Sequence, residues 1–222
     1  MIGLVGGLGV AATVHYYLTI VDRHRQRGLV PQLLIAHADA GRVIGDVRDG
    51  NISELAAYLS GFTDQLAAGG ATVGAVAAVA PHLCFDELAR RSRLPLVSIV
   101  AETARALAER RLARVALFGT RFVIESDLYG QLTNVAIVRP TPPEIDLIHA
   151  TYVDVVTLGR ATDQHRATLH RLGHTLIERN GVDAIVLAGT ELALVFAGTT
   201  TDFAIVDCAA AHIDGIMRHV RP

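Results

Sequence analysis

Two side chains in this 222-residue sequence join a useful titration range to a useful place in the chain, His82 and Glu191. His82 follows a short apolar run at 73–79, and an unshifted imidazole suits acid–base work near neutral pH. Its competing role is to hold its own loop by a side-chain hydrogen bond. Glu191 follows the apolar run 182–189, which reads as a buried strand running into a turn and a helix. Partial burial there would raise its carboxyl towards the range of a general base; the competing role is to cap the following helix. Thr190 stands beside it as a donor to a substrate oxygen. Cys84 and Cys208 read as small hydrophobes on helices rather than as nucleophiles. Glu125, Asp207 and His212 rank below these, because caps and packing account for them.

Absences narrow the chemistry further. All 20 basic residues are arginine. Without a lysine, pyridoxal-phosphate and Schiff-base mechanisms are excluded, and so is the P-loop. A formal charge of -2 supplies no basic field for nucleic acid. Two distant cysteines do not make a disulfide framework and fit a cytoplasmic protein with free thiols. No CxxC or HExxH pattern supports a zinc site. His165, His170 and His174 share one expected helix; the i,i+4 pair His170/His174 reads as a solvated face, not as metal ligands. The uncharged stretch 66–85 has the length of a membrane span. Gly69-Gly70 and Pro81 break it, so a short buried strand is expected instead. No charged n-region precedes an apolar segment, so no secretory signal is expected.

These residues need a frame, and strand and helix signals alternate from end to end. Apolar runs at 2–7, 32–39, 73–79 and 94–100 predict four strands, with helices near 12–27, 53–68 and 85–91 between them. The order restarts with strands at 113–120, 134–140, 182–189 and 203–207 and helices near 124–132, 142–158 and 208–220, with a further helix striped by Leu169, Leu172, Leu176 and Ile177 and stopped by Asn180-Gly181. The runs are continuous rather than alternating, as strands covered on both faces require. Gly7 to Ala78 and Gly119 to Gly189 each span about seventy residues, joining corresponding strand ends in two halves. The expectation is an α/β fold of two pseudo-symmetric parallel-sheet (βα) halves, 1–100 and 101–206, with the closing helix 207–222 packing on the first. Ligands in open parallel sheets bind beyond the strand carboxyl ends. A site between the halves would then be lined around Gly7, Ala78, Gly119 and Gly189. GGLGVAA (6–12) also contains a weak dinucleotide fingerprint, G-x-G-x-x-A, with Asp39 in the place of the ribose-binding acid; the restart near residue 113 argues against it.

A set of motifs carries more weight. GGLGVAATVHYY (6–17), APHLCFDEL (80–88), LPLVSIV (94–100), LFGTRFVIESDLYG (117–130), GTELAL (189–194) and DCAAAH (207–212) resemble, in order, the landmarks of the aspartate/glutamate racemase superfamily. That resemblance implies a cofactor-independent active site between two halves, in a protein that is usually a homodimer. It also implies that Leu8, Val79, Ala80, Thr120 and Val123 join Gly7, Ala78, Gly119 and Gly189 around the substrate. Members of the superfamily move the α-proton between two cysteine thiols. Here the first Cys-Asn-Thr-x-His segment reads Ala78-Val79-Ala80-Pro81-His82, and Gly189 stands at the second cysteine's position. Substitutions beyond the two thiols mark natural divergence rather than a knock-out. Losing the asparagine and threonine removes hydrogen bonds to a substrate carboxylate, at roughly 1–3 kcal/mol for each neutral contact. A roomier, more apolar pocket is expected, with a larger and less polar carbonyl or carboxylic substrate than aspartate and isomerisation, cyclisation or related chemistry. Two alternatives stand: Asp/Glu-type racemisation by non-cysteine groups, and an inactive ligand-binding homologue.

Overall fold

The computed structural model describes residues 1–130, 132 and 134–220. Gln131, Thr133, Arg221 and Pro222 lie outside it, and with them part of the helix expected over 124–132 and the last two residues of the segment expected to close the chain.

The first half runs β1 (Ile2–Gly6), α1 (Val10–Gln26), β2 (Leu33–His37), α2 (Ala40–Asp49), α3 (Ile52–Ala68), β3 (Val73–Val76), a 3-10 turn (Ala80–Cys84), α4 (Phe85–Arg91) and β4 (Leu96–Val97). Helix α5 (Ile99–Glu109) leads into β5 (Arg114–Phe118), α6 (Arg121–Glu125), β6 (Ala136–Val138), α7 (Pro142–Leu158), α8 (Asp163–Asn180), β7 (Ala184–Leu187), α9 (Leu192–Phe196), β8 (Ile205–Asp207) and α10 (Cys208–Met217). Two parallel four-stranded sheets result, in the orders β2-β1-β3-β4 and β6-β5-β7-β8. The two orders are the same arrangement repeated. The central strands are continuous apolar runs because helices cover both faces; every residue of β1, β3 and β7 is buried. In register, Val5 pairs with Val76, and Phe118 with Leu187, so corresponding strand ends sit side by side in each sheet.

The chain divides into two compact units, Met1–Ile99 together with the chain from His212, and Val100–Ala211. The core of the first gathers Val5, Leu55, Leu59, Cys84 and Leu88, each at most 1% exposed. Cys84 is a core side chain whose thiol donates to the Pro81 carbonyl at 3.2 Å. Among the described residues no helix is long and apolar enough to cross a membrane; residues 66–85 divide between the end of α3, β3 and the 3-10 turn.

Several elements differ from the sequence expectation, each for a local reason. The run 94–100 forms only a two-residue strand, because the buried Ile99 already begins α5. Helix α6 starts earlier than expected and ends at Glu125: Thr120 caps it by accepting from the Val123 N–H, and Ser126 turns extended. Helix α2 has no counterpart in the expectation. Asp39 accepts from the Gly41 and Arg42 N–H groups to start it, and left-handed Gly50 ends it. Asp39 is therefore a helix cap rather than a ribose-binding acid.

Candidate active site

The loop after β3 carries the first set of expected site residues. His82 is 6% exposed. Its Nδ1 lies 2.9 Å from the Ala78 carbonyl, and the Ile99 N–H donates to Nε2 at 3.1 Å. An acceptor role at Nε2 fixes the proton on Nδ1, which donates to Ala78. Both nitrogens are thus engaged by main chain, and the Phe85 ring stacks on the imidazole at 5.2 Å. Burial lowers the His82 pKa to about 4, so the ring is neutral at pH 7. This is the geometry of a loop clasp, with no nitrogen left for a substrate proton. The imidazole of His212 lies beside it, at 5.8 Å between centroids. His212 bonds the Tyr16 hydroxyl and the Val97 carbonyl, each at 2.9 Å; burial and then the neighbouring His82 lower its pKa to about 3.

The remaining expected residues of this unit serve mostly as backbone and packing. Gly7 has φ +83, and a Cβ there would meet the Ala38 carbonyl oxygen at 2.6 Å, so only glycine fits. Its N–H donates to Thr13 Oγ1 at 2.9 Å. Leu8 packs against the core cluster. Val79 is 5% exposed, and Ala78 and Ala80 are half-buried with no polar side-chain atom to offer.

In the second unit the carboxyl ends of β5, β7 and β8 carry more chemistry. Gly119 is a close approach, since a Cβ would meet the Ala188 carbonyl oxygen at 2.7 Å. Thr120 is half-buried and spends its hydroxyl oxygen on the Val123 N–H at 3.2 Å. Val123 is 2% exposed. Beyond β7 the turn Ala188–Glu191 holds the polar centre. Glu191 is 3% exposed and sits at the N-cap of α9, yet its side chain makes no capping bond. The carboxylate instead accepts from Tyr152 Oη at 2.6 Å and from Thr190 Oγ1 at 3.0 Å, both on Oε2. Oε1 makes no hydrogen bond among the described residues.

Tyr152 overturns one expectation outright. Gly189 does not leave room: a Cβ built there would collide with Cε2 of the Tyr152 ring and touch its Cζ at 3.0 Å. The ring occupies the space in which a side chain at 189 would lie. Burial, and then the Glu191 charge, push the phenol well above its ordinary pKa, so it remains a proton donor. Nothing in the sequence spacing ties Tyr152, in the middle of α7, to a glycine beyond a later strand; a tyrosine in an apolar helix reads as packing.

Both cysteines are free thiols and both are buried. Burial pushes Cys84 up to about 12. Burial and then the Asp207 charge push Cys208 well above the usual thiol range. Tyr129 is 1% exposed, and its phenol is raised by burial and then by Cys208. Among the described residues its hydroxyl makes no hydrogen bond of ordinary geometry, and Thr103 and Cys208 are the groups beside it. Tyr129, Cys208, Glu191 and Tyr152 thus form one buried polar region at the strand ends of this unit, and at neutral pH its tyrosines and thiol are all protonated.

The sequence model of the Asp/Glu/hydantoin racemase family matches residues 5–216. Solved structures give the same fold. A candidate Asp/Glu racemase of Yersinia pestis superposes with a TM-score of 0.85 at 24% identity, covering 98% of this chain and 97% of that one. An aspartate racemase homologue of Pyrococcus horikoshii gives 0.82 at 23% identity, with 98% and 97% covered. The aspartate racemase of Picrophilus torridus gives 0.74 at 21%, with 98% and 92% covered.

Proposed function

Because the chain belongs to the Asp/Glu/hydantoin racemase family, we propose that it is a cofactor-independent acid–base enzyme that has exchanged two-thiol proton transfer for a carboxylate–phenol pair. Its substrate is a carbonyl or carboxylic compound less polar than aspartate, and its reaction is an isomerisation or a cyclisation that proceeds through an enolate. The observation that carries this reading is the bond from Tyr152 Oη to Glu191 Oε2, beside a glycine in the place of the second thiol.

The division of labour follows from the hydrogen bonds. Thr190 and Tyr152 fix Oε2, which orients the carboxylate and leaves Oε1 as the free base. Oε1 takes the proton from the carbon next to the substrate carbonyl, and the electron pair of the broken C–H bond moves into the enolate. Protonating Glu191 removes the charge that held the phenol, so the Tyr152 O–H becomes available to the enolate oxygen. Glu191 then returns the proton to carbon, and the reaction balances without an outside reagent. His82 fixes the Ala78–His82 loop within its own unit. In the unit that holds Glu191, the buried apolar Val123 favours a substrate with less charge than an α-amino dicarboxylate.

The test is proton NMR in deuterated water. L- and D-aspartate and glutamate are incubated beside apolar 2-oxo and 3-oxo acids. Exchange at the carbon next to the carbonyl of the apolar acids is expected. It should fall at least a hundredfold in Glu191→Gln and more mildly in Tyr152→Phe. Aspartate exchange that survives Glu191→Gln would overturn the assignment of the base. Thermal stabilisation by such acids with no exchange of any compound would make the chain a binder instead.

A further inference from the structure

Away from the strand ends, helix α8 carries three histidines on which the structure imposes different fates. His165 is drawn into the helix start, where its Nδ1 accepts from the Thr162 N–H at 3.3 Å and Thr162 Oγ1 caps in return. His170 and His174, one turn apart, lean together with ring centroids 4.8 Å apart. Both point their Nε2 atoms at one carboxylate, that of Asp202 in the loop between α9 and β8. His170 Nε2 lies 3.2 Å from Oδ1, and His174 Nε2 lies 2.7 Å from Oδ2. All the ligand-capable atoms fall within 4.8 Å of one another.

We infer that His170, His174 and Asp202 form a binding site for a zinc-class divalent transition-metal ion. Two imidazoles at i,i+4 on a helix face and one carboxylate are a borderline-soft donor set that suits zinc and its neighbours rather than calcium or magnesium. Bonds of about 2.0–2.1 Å in a tetrahedral site place neighbouring ligand atoms roughly 3.3 Å apart. His170 Nε2 and Asp202 Oδ1, 3.2 Å apart, are already at that edge, and the other pairs, all within 4.8 Å, reach it by side-chain rotation. A fourth position falls to water, which has access because a surface cleft of about 480 Å³ reaches His170 from the Arg166 and Thr199 side.

The floor beneath the site is built as well. The Phe203 ring lies 5.2 Å from the His170 ring and 5.5 Å from that of His174, supporting both. It can do so because helix α8 has a glycine below it: a Cβ on Gly173 would sit 2.9 Å from Phe203 Cε1. The ligand rings are thus backed by packing, as metal-binding histidines require. A bound ion would tie the loop carrying Asp202 to α8. That loop follows α9, the helix opened by Glu191, and meets the two histidines through Asp202 and Phe203.

The experiment uses untagged full-length protein stripped with a chelator, then titrated with Zn²⁺ by calorimetry and with Co²⁺ by visible absorption. One equivalent is expected to bind with a Kd on the order of micromolar, with tetrahedral Co²⁺ bands. Excess Zn²⁺ at a hundred times Kd should raise Tm by about 5–10 °C. The His170→Ala/His174→Ala double variant should lose at least a hundredfold in affinity, and Asp202→Asn about tenfold. These positions are partly exposed, and a far-UV circular dichroism spectrum checks that each variant is folded. Failure to bind one equivalent, or equal binding by the double variant, would overturn the site. Neither outcome bears on Glu191, whose exchange activity is read without metal.

Discussion

At the scale of single residues, what matters is which polar groups have been spent on the protein itself. His82 and Glu191 look alike in the sequence, a titratable residue just past a buried strand. The structure separates them. His82 has both nitrogens tied to main chain, whereas Glu191 has one oxygen held and, among the described residues, no bond on the other. Tyr152 is the residue that makes Gly189 intelligible. Restoring a thiol by Gly189→Cys should cost about 1–3 kcal/mol of stability, because the new side chain meets the ring. In a urea-denaturation double-mutant cycle, pairing it with Tyr152→Ala should return a favourable coupling of about 1–2 kcal/mol. Strictly additive costs would show that the ring does not fill the thiol's place.

At the scale of elements, the position of Tyr152 depends on how α7 is anchored. Glu144 Oε2 accepts from the Thr141 N–H at 2.8 Å, which closes the first turn. The same carboxylate receives the Arg179 guanidinium in a fork, at 2.8 and 2.9 Å, which ties the start of α7 to the end of α8. The Arg179 fork holds the Glu144 carboxyl down at about 2. Glu144→Ala removes the cap and the fork together and should cost about 1–2 kcal/mol in urea denaturation. Glu144→Gln keeps an acceptor at the cap and should cost less than 1 kcal/mol. Equal costs for the two variants would mean that the cap contributes nothing. Both anchors were half-visible in the sequence: Thr-Pro-Pro-Glu announces a helix start, but no spacing rule links Glu144 to Arg179.

At the scale of the whole molecule, two neutral buried histidines set the response to acid. His82 and His212 have folded-state pKa values of about 4 and about 3, below an unfolded value near 6.5. The unfolded chain therefore binds protons first. The stabilisation is complete above pH 6.5 and is lost as pH falls, towards pH 4 for His82 and pH 3 for His212, on the order of 3 and 5 kcal/mol respectively. The urea midpoint should drop steadily between pH 7 and pH 4.5, and His212→Gln should flatten that slope while lowering the plateau. A midpoint that stays level across this range would contradict the buried neutral pair.

The linear chain was enough to read the repeated βα order, the two sheets, and which loops lie at strand ends. Those follow from the period and length of apolar runs and from glycines where the backbone must turn, all of them local properties. It also carried the family motifs. Local rules were weakest where an apolar run divides between elements, as at Leu96–Val97 and Ile99, or where a cap fixes a helix of its own, as at Asp39. Only the tertiary structure decided what each polar group faces. It put Tyr152 against Gly189, gave His82 and His212 their backbone partners, and brought Asp202 to the pair on α8. The physical reason is distance along the chain: hydrogen bonds and packing act over a few ångströms, and the residues they join here lie up to 196 positions apart, as Tyr16 and His212 do.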